Sequence, residues 1–329
     1  MLIKAIPRIN MRRLRKIIRG HRILKKTNSL DKIGAIKDLL AVTDCVKSKL
    51  MSPIILGAAT SNSELVLRQY MLYHFANYDL NKAILYANGN SDASIVYPLP
   101  RKWISAFEQS GLKVAKVRST LLWNGYIIMF LAQGLKVIGK TIIQSIKEII
   151  RPVYNGLGRY TYFDSISVDN LPNSKGGYNS RTILSWYQQW SGRVGELDTI
   201  CHDIQGLSCT NSGAVCVKSL PSAIPPINTI NGLVRYTAWA IKSILLAGVD
   251  LFRGRWWHAL LLNQAAMSAH VRIMSADFLA REYMFHNGNW IYRPLWTYEA
   301  EAKGCLVTFY FYSTNLSFDH QILYMPILN

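Results

Sequence analysis

The sequence predicts a mixed α/β protein with a parallel sheet. Short apolar runs bounded by Gly, Pro or Asn alternate with segments of helical period, the pattern of βαβ units. Half the residues are apolar and 17% are charged, so the chain carries enough apolar surface for a sizeable core. At 329 residues it has room for two domains.

In chain order, residues 8–26 read as a basic helix, with Ile9, Leu14, Ile17, Ile18 and Ile23 set among Arg and Lys. Ser29-Leu30-Asp31 marks a break, and residues 31–50 read as a second short helix. Ile54-Ile55-Leu56, closed by Gly57, and Ala83–Tyr86 read as buried strands on either side of a helix at 63–76. Pro98-Leu99-Pro100 opens a helix that runs to Ser110 and stops at Gly111, and Leu112–Val117 alternates like a strand. Residues 120–150 form a long helix. Lys136, Lys140 and Lys147 fall within about 40° of one another, opposite Ile127, Leu131, Leu135, Ile138 and Ile142. The uncharged run from Ser119 to Leu135 is at the short end for a membrane span and contains Asn124, Gly125, Gln133 and Gly134, which favours an amphipathic helix.

Residues 151–181 read as a long loop around a strand at Tyr160–Asp164. A helix follows at 182–190, then a strand at Asp198–Ile204. Asn211 to Asn231, with Pro221, Pro225 and Pro226, reads as a hinge. Helices at 233–252, 256–272 and 294–303 lead to an aromatic strand at Leu306–Tyr312. The expected division is basic amphipathic helices over 1–50, a Rossmann-like α/β domain over 51–225, and a helical linker with the start of a second, incomplete α/β domain over 226–329.

Charge is unevenly spread. The net charge is +19, and residues 1–26 hold four Lys and six Arg with no acid. Such a block meets a polyanion or is a solvated arm. An anionic membrane surface is the expected partner. The excess elsewhere is diffuse and no zinc finger or RRM pattern is present, so no nucleic acid is expected. Five cysteines, an odd number at low density, imply no disulfide framework. Cys201, Cys209 and Cys216 are spaced more widely than the usual zinc pairs and read as plain thiols, with no metal site. There is no P-loop, no complete GxGxxG, no HExxH, no GxSxG and no Asp-x-Asp.

Three constellations have chemistry to offer. Arg159, in a Gly- and Tyr-rich segment, offers a fork for phosphate. His202 and Asp203 end a strand, where a ligand crevice forms in open α/β sheets, and either serves as a base for a hydroxyl. His286, with Arg293 and Glu299 downstream, and the Ser313-Thr314-Asn315 loop form a polar and aromatic cluster suited to a sugar or diphosphate. Each also has a plain structural reading as strand ends, caps and buried aromatics.

The runs LPRKWISAFEQSGLKV, RPVYNGLGRYTYFDSIS, LSWYQQW and LAREYMFHNGNWIYRPLWTYEAEAKGCLVTFYFYSTN resemble bacterial surface or capsular polysaccharide biosynthesis proteins with a GT-B-like, two-Rossmann-domain build. The resemblance covers roughly residues 95–315 and is strongest at 279–315. It implies a metal-independent glycosyltransferase that needs no cofactor beyond a nucleotide sugar as donor. The acceptor would be a lipid-linked or polymeric saccharide, met at the inner face of the cytoplasmic membrane. Only about one strand follows residue 306, so the resemblance also implies a truncated member, or one whose second domain is a partner chain. Asp203 would be the base, Arg159 and Arg293 the phosphate ligands. The competing reading is a non-catalytic membrane-associated scaffold.

Overall fold

The computed structural model describes residues 15–21, 52–76, 78–90, 93–152, 160–164, 166, 199–202, 209–212, 215–220, 222–286 and 293–310. The chain forms two compact units. One comprises Met1–Leu50, Asn62–Met129 and Asn315–Asn329; the other comprises Met51–Ser61 and Phe130–Thr314.

The first unit is helical. Its elements are α2 (Ser63–His74), α3 (Tyr78–Asn88), α4 (Arg101–Gln109) and the start of a long helix, α5 (Lys116–Ile150). Leu67, Phe75, Leu80, Trp103 and Phe107 are fully buried in it, and Phe75 meets Trp123 edge-on at 4.8 Å. Two expected strands are absent here. Ala83–Tyr86 is inside α3, because Leu80 and Ile84 sit one turn apart on a buried stripe, a helical spacing that a four-residue apolar run conceals. At Leu112–Val117 only an isolated bridge, Ile95 to Val114, forms before α5 begins at Lys116. The helix ending at Gly111, with φ +82°, is as expected.

Residues 15–21 are helical, within the expected basic helix, and they pack. A Cβ on Gly20 would lie 1.8 Å from the Leu85 carbonyl oxygen, and one on Gly89 would lie 1.8 Å from that of Lys16. Only glycines allow these backbones to cross so closely. Lys16 lies over the Tyr86 ring, while Arg15 and Arg19 face solvent. The helix expected at 31–50 lies outside the described residues.

The second unit holds the sheet. Its helices are α1 (Pro53–Leu56), the rest of α5, α6 (Ile230–Phe252), α7 (Trp257–Ile273) and α8 (Leu295–Ala302). The run Ile54–Leu56 was expected as a strand and is α1 instead. Ser52 caps it by accepting from the Ile54 N–H at 3.2 Å, and Pro53 fits the first turn. The six strands are β1 (Thr161–Asp164), β2 (Thr199–His202), β3 (Cys209–Ser212), β4 (Val215–Ser219), β5 (Glu282–His286) and β6 (Leu306–Tyr310), in the order β3-β4-β2-β1-β5-β6. β3 is antiparallel to β4; the other five are parallel. β6 pairs with β5, so this strand joins the same sheet as β1. The α/β class holds, with the sheet beginning at Thr161 and not near residue 54.

Tyr162, Cys201, Tyr283 and Phe285 share one sheet face and one apolar cluster with α7 and α8, where Trp296 stands edge-on to Tyr283 at 4.9 Å. Phe163, Ile200, His202 and Met284 point to the opposite face and are also buried. α7 is the central helix, with Leu260, Leu261, Leu262, Ala265 and Ala266 fully buried. α5 lies on it through Gly134, whose added Cβ would be 2.7 Å from Leu262. Tyr236 of α6 donates to the Ala266 carbonyl at 3.3 Å, and burial pushes its phenol up to about 12.

Along α5 the buried positions are Ser119, Trp123, Ile127, Phe130, Gly134, Ile138, Thr141, Ser145 and Glu148, spaced by three and four. Leu135, expected on this face, is exposed. α5 is also the one helix among the described residues long and apolar enough to cross a membrane by length and composition. Its polar buried positions are engaged: Ser145 accepts from the Ile227 N–H at 3.1 Å.

His270 of α7 is buried, and burial pushes its imidazole down to about 4, against a smaller opposing pull from a bond to the Pro225 backbone. The unfolded chain binds a proton there near 6.5, so between 6.5 and about 4 it holds more protons than the fold. Stability from this source is full above 6.5, falls as pH drops toward 4, and levels off below it, a loss of roughly 3 kcal/mol. Urea unfolding across this window is expected to show that slope, and His270→Gln to flatten it. An unchanged slope in the variant would refute the assignment.

Candidate functional site

Parallel strands place their carboxyl ends on one edge, and here that edge gathers residues from distant parts of the chain. β1 ends at Asp164, β2 at His202, β4 at Ser219, β5 at His286 and β6 at Tyr310. Phe163, His202 and Ser219 stand in register across β1, β2 and β4, and the His202 carbonyl accepts from the Leu220 N–H at 2.8 Å. His286 pairs with Tyr310 across β5 and β6. From β1 the chain lays β2 and β4 to one side; it then returns to lay β5 and β6 on the other. The strand order therefore reverses between β1 and β5, and such a reversal opens a crevice beyond the strand ends.

Of the residues singled out by the sequence, two end described strands at this edge, His202 and His286. His202 is the last residue of β2, on the sheet face opposite the Tyr cluster, and is fully buried. His286 is the last residue of β5. Asp203 directly follows β2, and Ser313, Thr314 and Asn315 follow β6 in the chain; these, with Arg159, lie outside the described residues.

Arg293 and Glu299 belong to α8 and its approach. Arg293 donates through Nε to Thr297 at 3.0 Å and through Nη2 to Glu301 at 2.7 Å, with its guanidinium 4.0 Å over the Tyr298 ring centroid. Those bonds tie the residue before Pro294 to the first turns of α8. Glu299 is buried, and its Oε1 accepts from the Ala58 N–H at 2.8 Å, Ser268 Oγ at 3.2 Å, and Arg272 Nε and Nη2 at 2.9 and 2.7 Å. In this structure Glu299 joins α8, α7 and the turn after α1.

A second buried polar group was not foreseen. His258 Nδ1 faces the Asp250 carboxylate, and its Nε2 accepts from the Ser52 N–H at 3.5 Å. Arg255 stands 3.8 Å from the same carboxylate. Burial lowers the His258 imidazole, and Asp250 opposes that effect. The pair clamps the α6–α7 corner onto the start of α1. The signal was faint: an acid in the last turn of one helix and a His in the first turn of the next, joined by a short Gly-containing link.

Fold and edge together define an α/β protein whose parallel sheet reverses its strand order between β1 and β5. Comparison with known families adds a second level. The model of the polysaccharide biosynthesis PFTS motif protein family matches residues 239–324, which begin within α6 and take in α7, β5, α8 and β6. The match indicates involvement in polysaccharide biosynthesis. No curated protein and no solved structure matches the chain.

Proposed function

We propose that this chain transfers a glycosyl group from a nucleotide sugar to a saccharide acceptor during assembly of a bacterial surface polysaccharide. The observation that carries the proposal is the reversal of strand order between β1 and β5, whose ends bear Asp164 and His286, with β5 and β6 inside the family-matched residues. Nucleotides seat at such a reversal in doubly wound sheets. In the proposed reaction the acceptor hydroxyl attacks the anomeric carbon and the bond from that carbon to the diphosphate oxygen breaks. The hydroxyl proton passes to Asp203 and the nucleoside diphosphate leaves. Arg159 and Arg293 offset the diphosphate charge, and Ser313, Thr314 and Asn315 hydrogen-bond donor oxygens. The donor serves as substrate and no cofactor is invoked. The proposed acceptor is a lipid-linked or polymeric saccharide at the inner membrane face.

The test is thermal unfolding of the chain against a panel of nucleotide sugars, followed by measurement of nucleoside diphosphate release with saccharide acceptors. One donor is expected to raise the Tm by roughly 5 °C at about one hundred times its Kd. Asp203→Asn should keep that shift and lower transfer by about 10²–10⁴. Absence of a shift with every donor, in protein shown to be folded, would remove the proposal and favour a scaffold.

A further inference from the structure

The second unit turns two apolar helix faces outward. On α6, Ile230, Val234, Ile241, Leu245 and Phe252 are exposed, Phe252 at 96%. At 100° per residue they fall within about 60° of one another. On the part of α5 in this unit, Leu135, Ile143, Ile146 and Ile150 are exposed within about 80°. Both stripes lie away from the seams that pack on the core.

The charges on these helices sort by sign. Lys136, Lys140 and Lys147 on α5, and Arg235 and Lys242 on α6, are exposed and stand beside the apolar stripes, about a quarter turn round. The acids of the same helices, Glu148 and Asp250, are both buried. Every exposed charge on α5 and α6 is thus positive. An aliphatic stripe edged by cations with flexible stems is the design of a helix lying in a lipid interface, its Lys heads reaching the headgroups. A second copy of the chain would set cation against cation, whereas an anionic bilayer complements both parts of the face.

We propose that the exposed faces of α5 and α6 seat this unit on an anionic bilayer, with Phe252 and the aliphatic stripes entering the headgroup boundary. The proposal deepens the reading above by naming the surface at which the acceptor is met, and rests on that reading for its purpose alone. Binding to vesicles and binding to a nucleotide sugar are separate measurements.

The experiment is co-sedimentation of the full chain with phosphatidylcholine vesicles, with and without phosphatidylglycerol, at physiological salt. Binding is expected only with the anionic lipid. The triple variant Lys136→Gln, Lys140→Gln, Lys147→Gln should bind roughly a hundredfold more weakly. Leu245→Glu with Phe252→Glu should lose a similar factor, on the order of a hundredfold. Both should keep the wild-type Tm and any nucleotide-sugar shift. Phe252→Ser, at a side chain with almost no packing, keeps the test decisive if the double variant misfolds; it should weaken binding severalfold. Unchanged vesicle binding in folded variants, or equal binding to neutral vesicles, would overturn the proposal. A wild-type dimer dissociated by the double variant would assign the face to a second copy and also overturn it. Retention in membranes washed with alkaline carbonate would do the same, because it would mean that α5 crosses the bilayer. Loss of sugar binding with vesicle binding intact would count against the transfer reading alone.

Discussion

Glu299→Ala is expected to destabilise the second unit by about 3–5 kcal/mol, the usual cost of removing one member of a buried ion pair. Three groups lose their acceptor at once: the Arg272 guanidinium, the Ser268 hydroxyl and the Ala58 N–H. Gly57 tests the same point from the backbone side. Its φ is +55°, and a Cβ there would lie 1.7 Å from Arg272 Nη2 and 1.8 Å from Glu299 Oε1. Gly57→Ala must therefore strain the turn and push the ion pair apart, and a loss of about 3 kcal/mol or more is expected. The variants act on one contact, so the double variant should cost clearly less than the sum. Urea unfolding measures all three. Additivity would show that Gly57 and Glu299 act independently and would defeat this account. The prediction also bears on function, because Glu299 was a candidate sugar or phosphate ligand. A Glu299 variant that loses transfer only in proportion to its unfolded fraction would assign the residue to structure.

Gly134→Leu is the second large effect. A Cβ at residue 134 already meets three Leu262 atoms within 2.9 Å, so a full side chain must force α5 away from α7. Overpacking of this kind costs about 1–3 kcal/mol. Leu262→Ala alone empties a fully buried site and is expected to cost about 2–5 kcal/mol. Combined, the two changes exchange the larger side chain across one contact, and the double variant should recover at least 1 kcal/mol relative to the sum. Failure of that recovery would mean that the α5–α7 crossing is looser than the geometry requires. The result matters for α5 because a helix whose Gly134 meets Leu262 of α7, and whose Ser145 accepts from the Ile227 N–H, is held as part of the fold, whatever its hydropathy.

The legible parts of the fold were those with long, sustained patterns. α4, α5, α6, α7 and α8 were visible because their period persists over two turns or more and because Gly111 and Pro294 punctuate two of their ends. β1, β2 and β6 were visible as short runs next to loops. The four-residue apolar runs at 54 and 83 were misread because a single buried turn and a buried strand have the same composition. Ser52-Pro53 held the missing information for the first. β5 went unseen because Glu282 and His286 made Glu282–His286 look polar, although Glu282 is buried and accepts from Thr308 Oγ1 at 2.7 Å. β3 and β4 were hidden in a stretch whose prolines suggested a hinge. His202 was found because it was read as a strand end, and His286 because it heads a polar and aromatic cluster, whereas the partners of Glu299, namely Ala58, Ser268 and Arg272, come from separate elements that no local pattern connects.

The central place of β1 has a consequence for how the molecule is made. Thr161 must pair with Ile200 on one side and with Glu282 on the other, and Glu282 in turn with Leu306. On the ribosome, β1 emerges long before its second neighbour and waits with one edge unpaired. An open strand edge of this kind recruits other chains, and pairings so distant in sequence form slowly. A product that stops before β5 would keep that edge permanently. How well the half-built sheet is shielded until β5 and β6 arrive therefore bears on yield, alongside final stability.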